Sequence, residues 1–215
     1  MFRVINSKVR KYNLSLDSLC GILHKIQCMR NFIKNIVLTG CILLSLSSCS
    51  ERQKLRKTMS KFVQSEIQIP DDLECVYNRE VTIINKDTLK PYKLIVYYDS
   101  LDCSSCRISH LMDLYPLYDM SDTCDFSVVT IFSPKKENLE EVKFQLSIAN
   151  HPEHIYIDSF NTFSKINQHI PTDQRFHSFL VDSNGKPIFV GNPLSNMRLA
   201  EIFHDIIQSE ATDQK

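Results

Sequence analysis

Cys103 and Cys106, three residues apart, are the side chains in this 215-residue chain whose type and spacing best suit chemistry. A Cys-x-x-Cys pair can close and reopen a disulfide, pass it to another disulfide, or hold a soft metal. Exchange needs a thiolate, so the local charge matters. Arg107 beside the pair favours ionisation, while Asp102 opposes it. Cys103, the leading residue, is the expected nucleophile, and Cys106, one turn on, resolves the mixed disulfide. His110 follows Cys106 by four residues, which puts it on the same helical face as both sulfurs. Cys-x-x-Cys-x-x-x-His is therefore an alternative and weaker pattern, the start of a copper or zinc site.

A reactive sulfur must be carried by an element that presents it. Leu94 to Tyr98 is apolar, β-branched and aromatic, and reads as a buried strand that Asp99 and Ser100 end. Ile108, Leu111, Met112, Leu114 and Tyr115 then recur at helical spacing, so the pair sits where a strand hands over to a helix. Unpaired N–H groups and the positive end of the dipole favour a thiolate there. That helix is expected to stop between Pro116 and Ser121.

The rest of the chain supplies the scaffold. Leu73 to Ile84 reads as one or two short strands with a turn at Asn85–Asp87. Phe126–Phe132 reads as a central, two-sided strand, Leu139 to Ile148 as a helix, and His154–Asp158 as a short strand. Phe160–Asn167 reads as a short helix with Asn161-Thr162 available as its cap. Phe176–Asp182 and Pro187–Gly191, joined through Asn184-Gly185, form a hairpin, and Asn196–Gln208 a closing amphipathic helix. Strands alternating with helices imply parallel pairs, and the late hairpin adds antiparallel edges. The expectation is an α/β fold: a mixed central sheet flanked by helices, with a C-terminal β-hairpin and helix.

The N-terminal region carries a different message. Met29-Arg-Asn-Phe-Ile-Lys-Asn35 is a basic head, and Ile36 to Leu46 is apolar but short for a membrane span. Leu46-Ser-Ser-Cys49 closes it and resembles the lipobox of bacterial lipoproteins, in which the cysteine becomes the first mature residue and is acylated. The resulting division is 1–28 as an upstream extension or mis-called start and 29–48 as a lipoprotein signal peptide. Residues 49–70 follow as a tether helix and linker, 71–210 as the folded domain and 211–215 as a tail. Cys49 is the lipidation residue on that reading.

Cys103-Ser-Ser-Cys106 at the mouth of a helix after a strand, with Ser178-Phe-Leu-Val-Asp-Ser-Asn-Gly-Lys186 downstream, resembles the thioredoxin superfamily. With the lipobox, the chain is similar to thioredoxin-like lipoproteins of the Bacteroides kind. The resemblance implies a thioredoxin-like fold and thiol-disulfide exchange with no cofactor. It also implies a protein disulfide substrate or redox partner. Departures are visible: Asp102 stands where the family usually has Trp, and Tyr97 where thioredoxins proper keep a buried acid. Phe176 occupies the position of the family's cis-proline, so it joins Arg107 and Asp102 as a redox-tuning residue.

Cysteine bookkeeping leaves alternatives open. Beyond Cys49, the exported part retains Cys75, Cys103, Cys106 and Cys124, for which three pairings exist. A Cys75–Cys124 structural disulfide beside a Cys103–Cys106 redox pair is one outcome, and two inert thiols at Cys75 and Cys124 are the other. Balanced charge, 25 Lys+Arg against 25 Asp+Glu, gives no electrostatic reason to expect nucleic acid. No phosphate loop, serine elbow or spaced carboxylate motif is present. The functional expectation is a lipid-anchored thiol-disulfide oxidoreductase of the cell envelope, periplasmic or surface-facing. The alternative is a redox-inactive binding module of the same fold, holding a metal or protein partner.

Overall fold

A computed structural model describes residue 27 and residues 29–34, 51–149 and 151–213. Cys49, expected from sequence to be lipidated, and most of the 29–48 segment lie outside the described residues. The chain divides into two compact units, 1–56 and 57–215. Residues 29–34 are helical, as are residues 51–62, here α1. Among the described residues no helix is long and apolar enough to cross a membrane.

The second unit holds a seven-stranded sheet. Its strands are β1 (Glu74–Tyr77), β2 (Glu80–Ile83), β3 (Tyr92–Tyr98), β4 (Phe126–Phe132), β5 (Ile155–Ile157), β6 (Ser178–Val181) and β7 (Pro187–Val190). Their order is β2-β1-β5-β4-β3-β6-β7. The pairs β3–β4 and β4–β5 are parallel, while β1–β2, β1–β5, β3–β6 and β6–β7 are antiparallel. Helices α2 (Ser104–Ser109), α3 (Tyr115–Thr123), α4 (Leu139–Ala149), α5 (Thr162–Ile166) and α6 (Met197–Asp213) complete it. Parallel β3 and β4 linked by helices, followed by an antiparallel hairpin and a closing helix, make this a thioredoxin-like fold.

Period-two alternation along β3 and β4 divides the core between the two faces of the sheet. Leu94, Val96, Val128 and Phe132 face one way, against Leu111 and Leu117 and against Phe203 and Ile207 of α6. Ile95, Tyr97, Val129 and Ile131 face the other, against Phe62, Ile67, Leu73 and Phe163. Residues 62–70, read from sequence as the end of a tether and linker, therefore contribute to the second core. Phe62 is fully buried, edge-on to Phe179 with ring centroids 5.0 Å apart. Ile67 N–H donates to Gly185 O at 2.8 Å, at the hairpin turn. Gly185 has φ +79, and a Cβ there would collide with Ile67 O, so both backbone and space demand glycine.

Several local expectations need correction. The helix after the cysteines is not continuous. It breaks at His110 into a 3₁₀ turn (Leu111–Leu114) and restarts as α3, with Pro116 in its first turn. Proline has no N–H to give and its ring crowds the carbonyl four residues back, so one helix cannot run through it. A proline in the first turn of a new helix is well placed, which is why α3 continues to Thr123. The cap of α5 also differs. Asn161 has φ +53 and makes no side-chain cap bond. Asp158 takes that role instead, accepting from Thr162 N–H at 2.8 Å and Phe163 N–H at 2.9 Å.

The Cys75–Cys124 bridge does not form, and both thiols are free. Cys75 packs in the core on one face of the sheet, whereas Cys124 packs against the core on the opposite face. Burial pushes the Cys75 thiol pKa up, partly offset by a hydrogen bond with Thr82, which keeps it protonated and unreactive. Replacing Phe62 by Ala removes a fully buried ring, so Phe62→Ala should cost about 3–5 kcal/mol in denaturant unfolding. A loss under about 1 kcal/mol would show that this segment is dispensable to the core.

Candidate active site

The sulfurs inherit their position from the carboxyl end of β3. There Tyr97 N–H donates to His177 O and Ser133 N–H to Tyr98 O, both at 2.8 Å, so the strand is held on either side up to its last residue. The chain then turns. Leu101 N–H donates to Asp99 Oδ1 at 2.9 Å and Asp102 N–H to Asp99 O at 3.1 Å, an Asx-type turn that reverses direction into α2. Cys103 is the N-cap of α2, with extended backbone and no side-chain cap bond. Cys106 lies within the first turn of the helix.

Cys103 and Cys106 are disulfide-bonded, with Cα atoms 5.3 Å apart. Both residues are exposed. They open onto a hollow of about 390 Å³ whose walls include Leu101, Asp102, Arg107, His110 and Gln174. Leu101, 75% exposed, puts an apolar side chain on the rim. Next to it lies a groove of about 510 Å³, sharing Asp102, Arg107 and Gln174 and extending past Phe176 and Ser178 to Asn192 and Leu199.

The charges flanking the disulfide are already paired with each other. Arg107 Nε and Nη2 donate to Asp102 Oδ1 at 3.1 and 2.9 Å. The Asp102 side chain is only 3% exposed, and the guanidinium lies over the Tyr98 ring at 5.3 Å. Arg107 and Asp102, read from sequence as opposing influences on Cys103, thus largely cancel. Burial pushes the Tyr98 hydroxyl pKa up, opposed by the Arg107 charge, so the phenol stays neutral and serves as a platform.

The remaining sequence candidates fall as follows. Phe176 ends a 3₁₀ turn (Gln174–Phe176) just before β6 and lines the groove, its ring under the Arg175 guanidinium at 5.6 Å. No cis peptide bond occurs among the described residues, so this position lacks the backbone that the resemblance leads one to look for. His110 ends α2 as its C-cap, with Nδ1 3.0 Å from Asp113 Oδ2, and its ring lies at the wall of the sulfur hollow.

Asp99, Gln174, His177 and Ser178 were not singled out by sequence reasoning. Asp99 follows β3 directly, whereas Gln174, His177 and Ser178 come to the site with the turn before β6 and the start of β6, whose pairing with β3 no local pattern announces. His177 is buried at 5% exposure, with Nε2 2.8 Å from Pro171 O. Burial pushes the Tyr97 hydroxyl pKa up despite hydrogen bonds with Ser133 and Ser164; this is the position of the buried acid of thioredoxins proper.

Comparison with protein-family models and with curated proteins gives no match. Among solved structures, the chain is similar to an uncharacterised thioredoxin-like protein from Porphyromonas gingivalis. Identity is 16% over 66% of this chain and 92% of that one, with a TM-score of 0.38. It is also similar to the C-terminal domain of a putative thiol-disulfide oxidoreductase from Bacteroides thetaiotaomicron. There identity is 16% over 67% of this chain and 98% of that one, with a TM-score of 0.41. A third is AhpC from Mycobacterium tuberculosis, 16% identical over 66% of this chain and 96% of that one, with a TM-score of 0.40.

Proposed function

We propose that this chain is a thiol-disulfide oxidoreductase that acts on protein disulfides outside the cytoplasm, held at a membrane by a lipid on Cys49. One observation carries the chemistry: a closed Cys103–Cys106 pair, both residues exposed, at a strand-to-helix junction beside an open groove. A structural disulfide gains nothing from such exposure, whereas exchange demands it, because the attacking sulfur must approach in line with the bond it breaks.

In the reduced form the Cys103 thiolate attacks one sulfur of a substrate disulfide. A mixed disulfide forms, and the other substrate sulfur leaves as a thiolate that takes up a proton. Cys106, deprotonated, then attacks Cys103 Sγ, which closes the intramolecular bond and releases the second substrate thiol. Two electrons and two protons pass to the substrate, and the protein is left in the oxidised form described above. An external dithiol resets it by the reverse exchange. The same steps read backwards oxidise a substrate dithiol. Asp102 and Arg107 hold each other, so neither imposes a strong net field on Cys103 and exchange can run in either direction.

Cys106→Ser removes the resolving sulfur, so reduced Cys106→Ser protein should accumulate a mixed disulfide through Cys103, visible by non-reducing electrophoresis and reversed by dithiol. The wild type should speed reduction of a model disulfide above the rate of free dithiol. No trapped adduct, no rate gain and a Cys103 inert to alkylation would leave the redox-inactive binding module instead. The anchor is checked separately: metabolic labelling with an alkyne fatty acid should mark the chain and be lost in Cys49→Ala. Label that survives in the variant would remove Cys49 from that role.

A further inference from the structure

We propose that Asp99, Asp102 and His177 form a binding site for a divalent cation of the zinc class, next to the cysteine pair but independent of its sulfurs. Each residue offers one ligand atom, and the three atoms lie within 4.8 Å of one another. A point central to such a triangle is at most roughly 2.8 Å from each corner, so a modest inward shift reaches zinc–ligand distances of about 2.0–2.2 Å.

The independent observation is the state of His177. Its ring is buried at 5% exposure, and Nε2 lies 2.8 Å from Pro171 O. A carbonyl oxygen only accepts, so Nε2 carries the proton and the lone pair is on Nδ1. That Nδ1 is buried without a hydrogen-bond partner among the described residues. Buried polar atoms are rarely left so. A histidine that donates one ring N–H to a backbone carbonyl and keeps a buried, unpartnered lone pair on the other nitrogen, within reach of two carboxylates, has the arrangement of a metal ligand, with its tautomer fixed by the second contact.

The two carboxylates complement it. Both Arg107 bonds fall on Oδ1 of Asp102, which leaves Oδ2 outside the ion pair. Asp99 Oδ1 accepts from Leu101 N–H and from Gln174 Nε2 at 3.4 Å, so its carboxylate is held at the mouth of the loop. Two carboxylates and one guanidinium leave one net negative charge, which a dication reverses. One imidazole nitrogen with two carboxylate oxygens suits zinc better than magnesium or calcium, which prefer oxygen alone. Water would complete the coordination.

A bound ion would tie the loop that carries Cys103 to the turn before β6. His110 is not needed, since its Nδ1 already faces Asp113. Because no cysteine contributes, the site should fill while the disulfide is closed, whatever becomes of the oxidoreductase reading.

Zinc titration of the full, untagged chain tests this, with the disulfide closed and accessible thiols alkylated. Equilibrium dialysis should find one saturable site per chain, weakened at least tenfold in both Asp99→Asn and His177→Ala. Asp99 lies in a loop outside both cores, so Asp99→Asn should keep the wild-type Tm without zinc, and added zinc should raise the Tm of the wild type alone. No saturable uptake by the oxidised chain overturns the proposal. So does uptake that is unchanged in both variants.

Discussion

The fixed position of β3 between a parallel neighbour and an antiparallel one is the constraint on which the site depends. Tyr98 pairs with Phe132 of β4, and Val96 with Ser178 of β6, so the strand cannot slide without breaking two ladders. Nor can it shift by one residue. A slip would send Leu94 and Val96 to the face built for Ile95 and Tyr97, and each face has its own cover. The Asx-type turn after Tyr98 and the start of α2 follow from that register, and Cys103 follows from the turn. Placement of reactive groups beyond the carboxyl ends of parallel strands is general to open α/β sheets, where loops meet in a crevice.

Around the sulfurs, the fold spends its polar groups on position more than on field. The Asp102 side chain is almost fully buried and anchors Arg107, which in turn covers Tyr98. The pair fixes the first turn of α2 against the end of β3, while its charges offset each other. Helix α2 has six residues, too short to add a strong dipole at its N-cap. What remains distinctive about Cys103 is access: an exposed sulfur with an apolar rim at Leu101 and a groove alongside. Access is what the proposed exchange requires, since the attacking sulfur must approach in line with the bond it breaks.

The sequence was informative where chemistry is local. The alternation of β3 and β4, the Asn-Gly hairpin and the amphipathic closing helix each follow from side-chain periodicity, and each is present. The Cys-x-x-Cys pair at a strand–helix junction was equally readable. What was hidden depended on contacts distant in sequence. The Asp158 cap of α5 was hidden because an acidic residue at a strand end looks like a turn signal. For Cys75 and Cys124 the sequence left a bridge and two free thiols equally open, and the sheet between them decides for free thiols. The amphipathic spacing of Phe62 and Ile67 was legible, but spacing alone cannot say which surface they cover, and here they cover the sheet. Asp99 and His177 meet only because β3 pairs with β6, a pairing no window of residues displays.

The central claim is that Cys103 and Cys106 form an exchangeable couple and not a structural clasp. Equilibration of the chain in glutathione buffers of graded ratio, with the thiol fraction read by mass spectrometry after alkylation, gives its reduction potential directly. A value between about −120 and −270 mV is expected for a couple that works in exchange. A value below about −300 mV would mark a structural disulfide and contradict the claim.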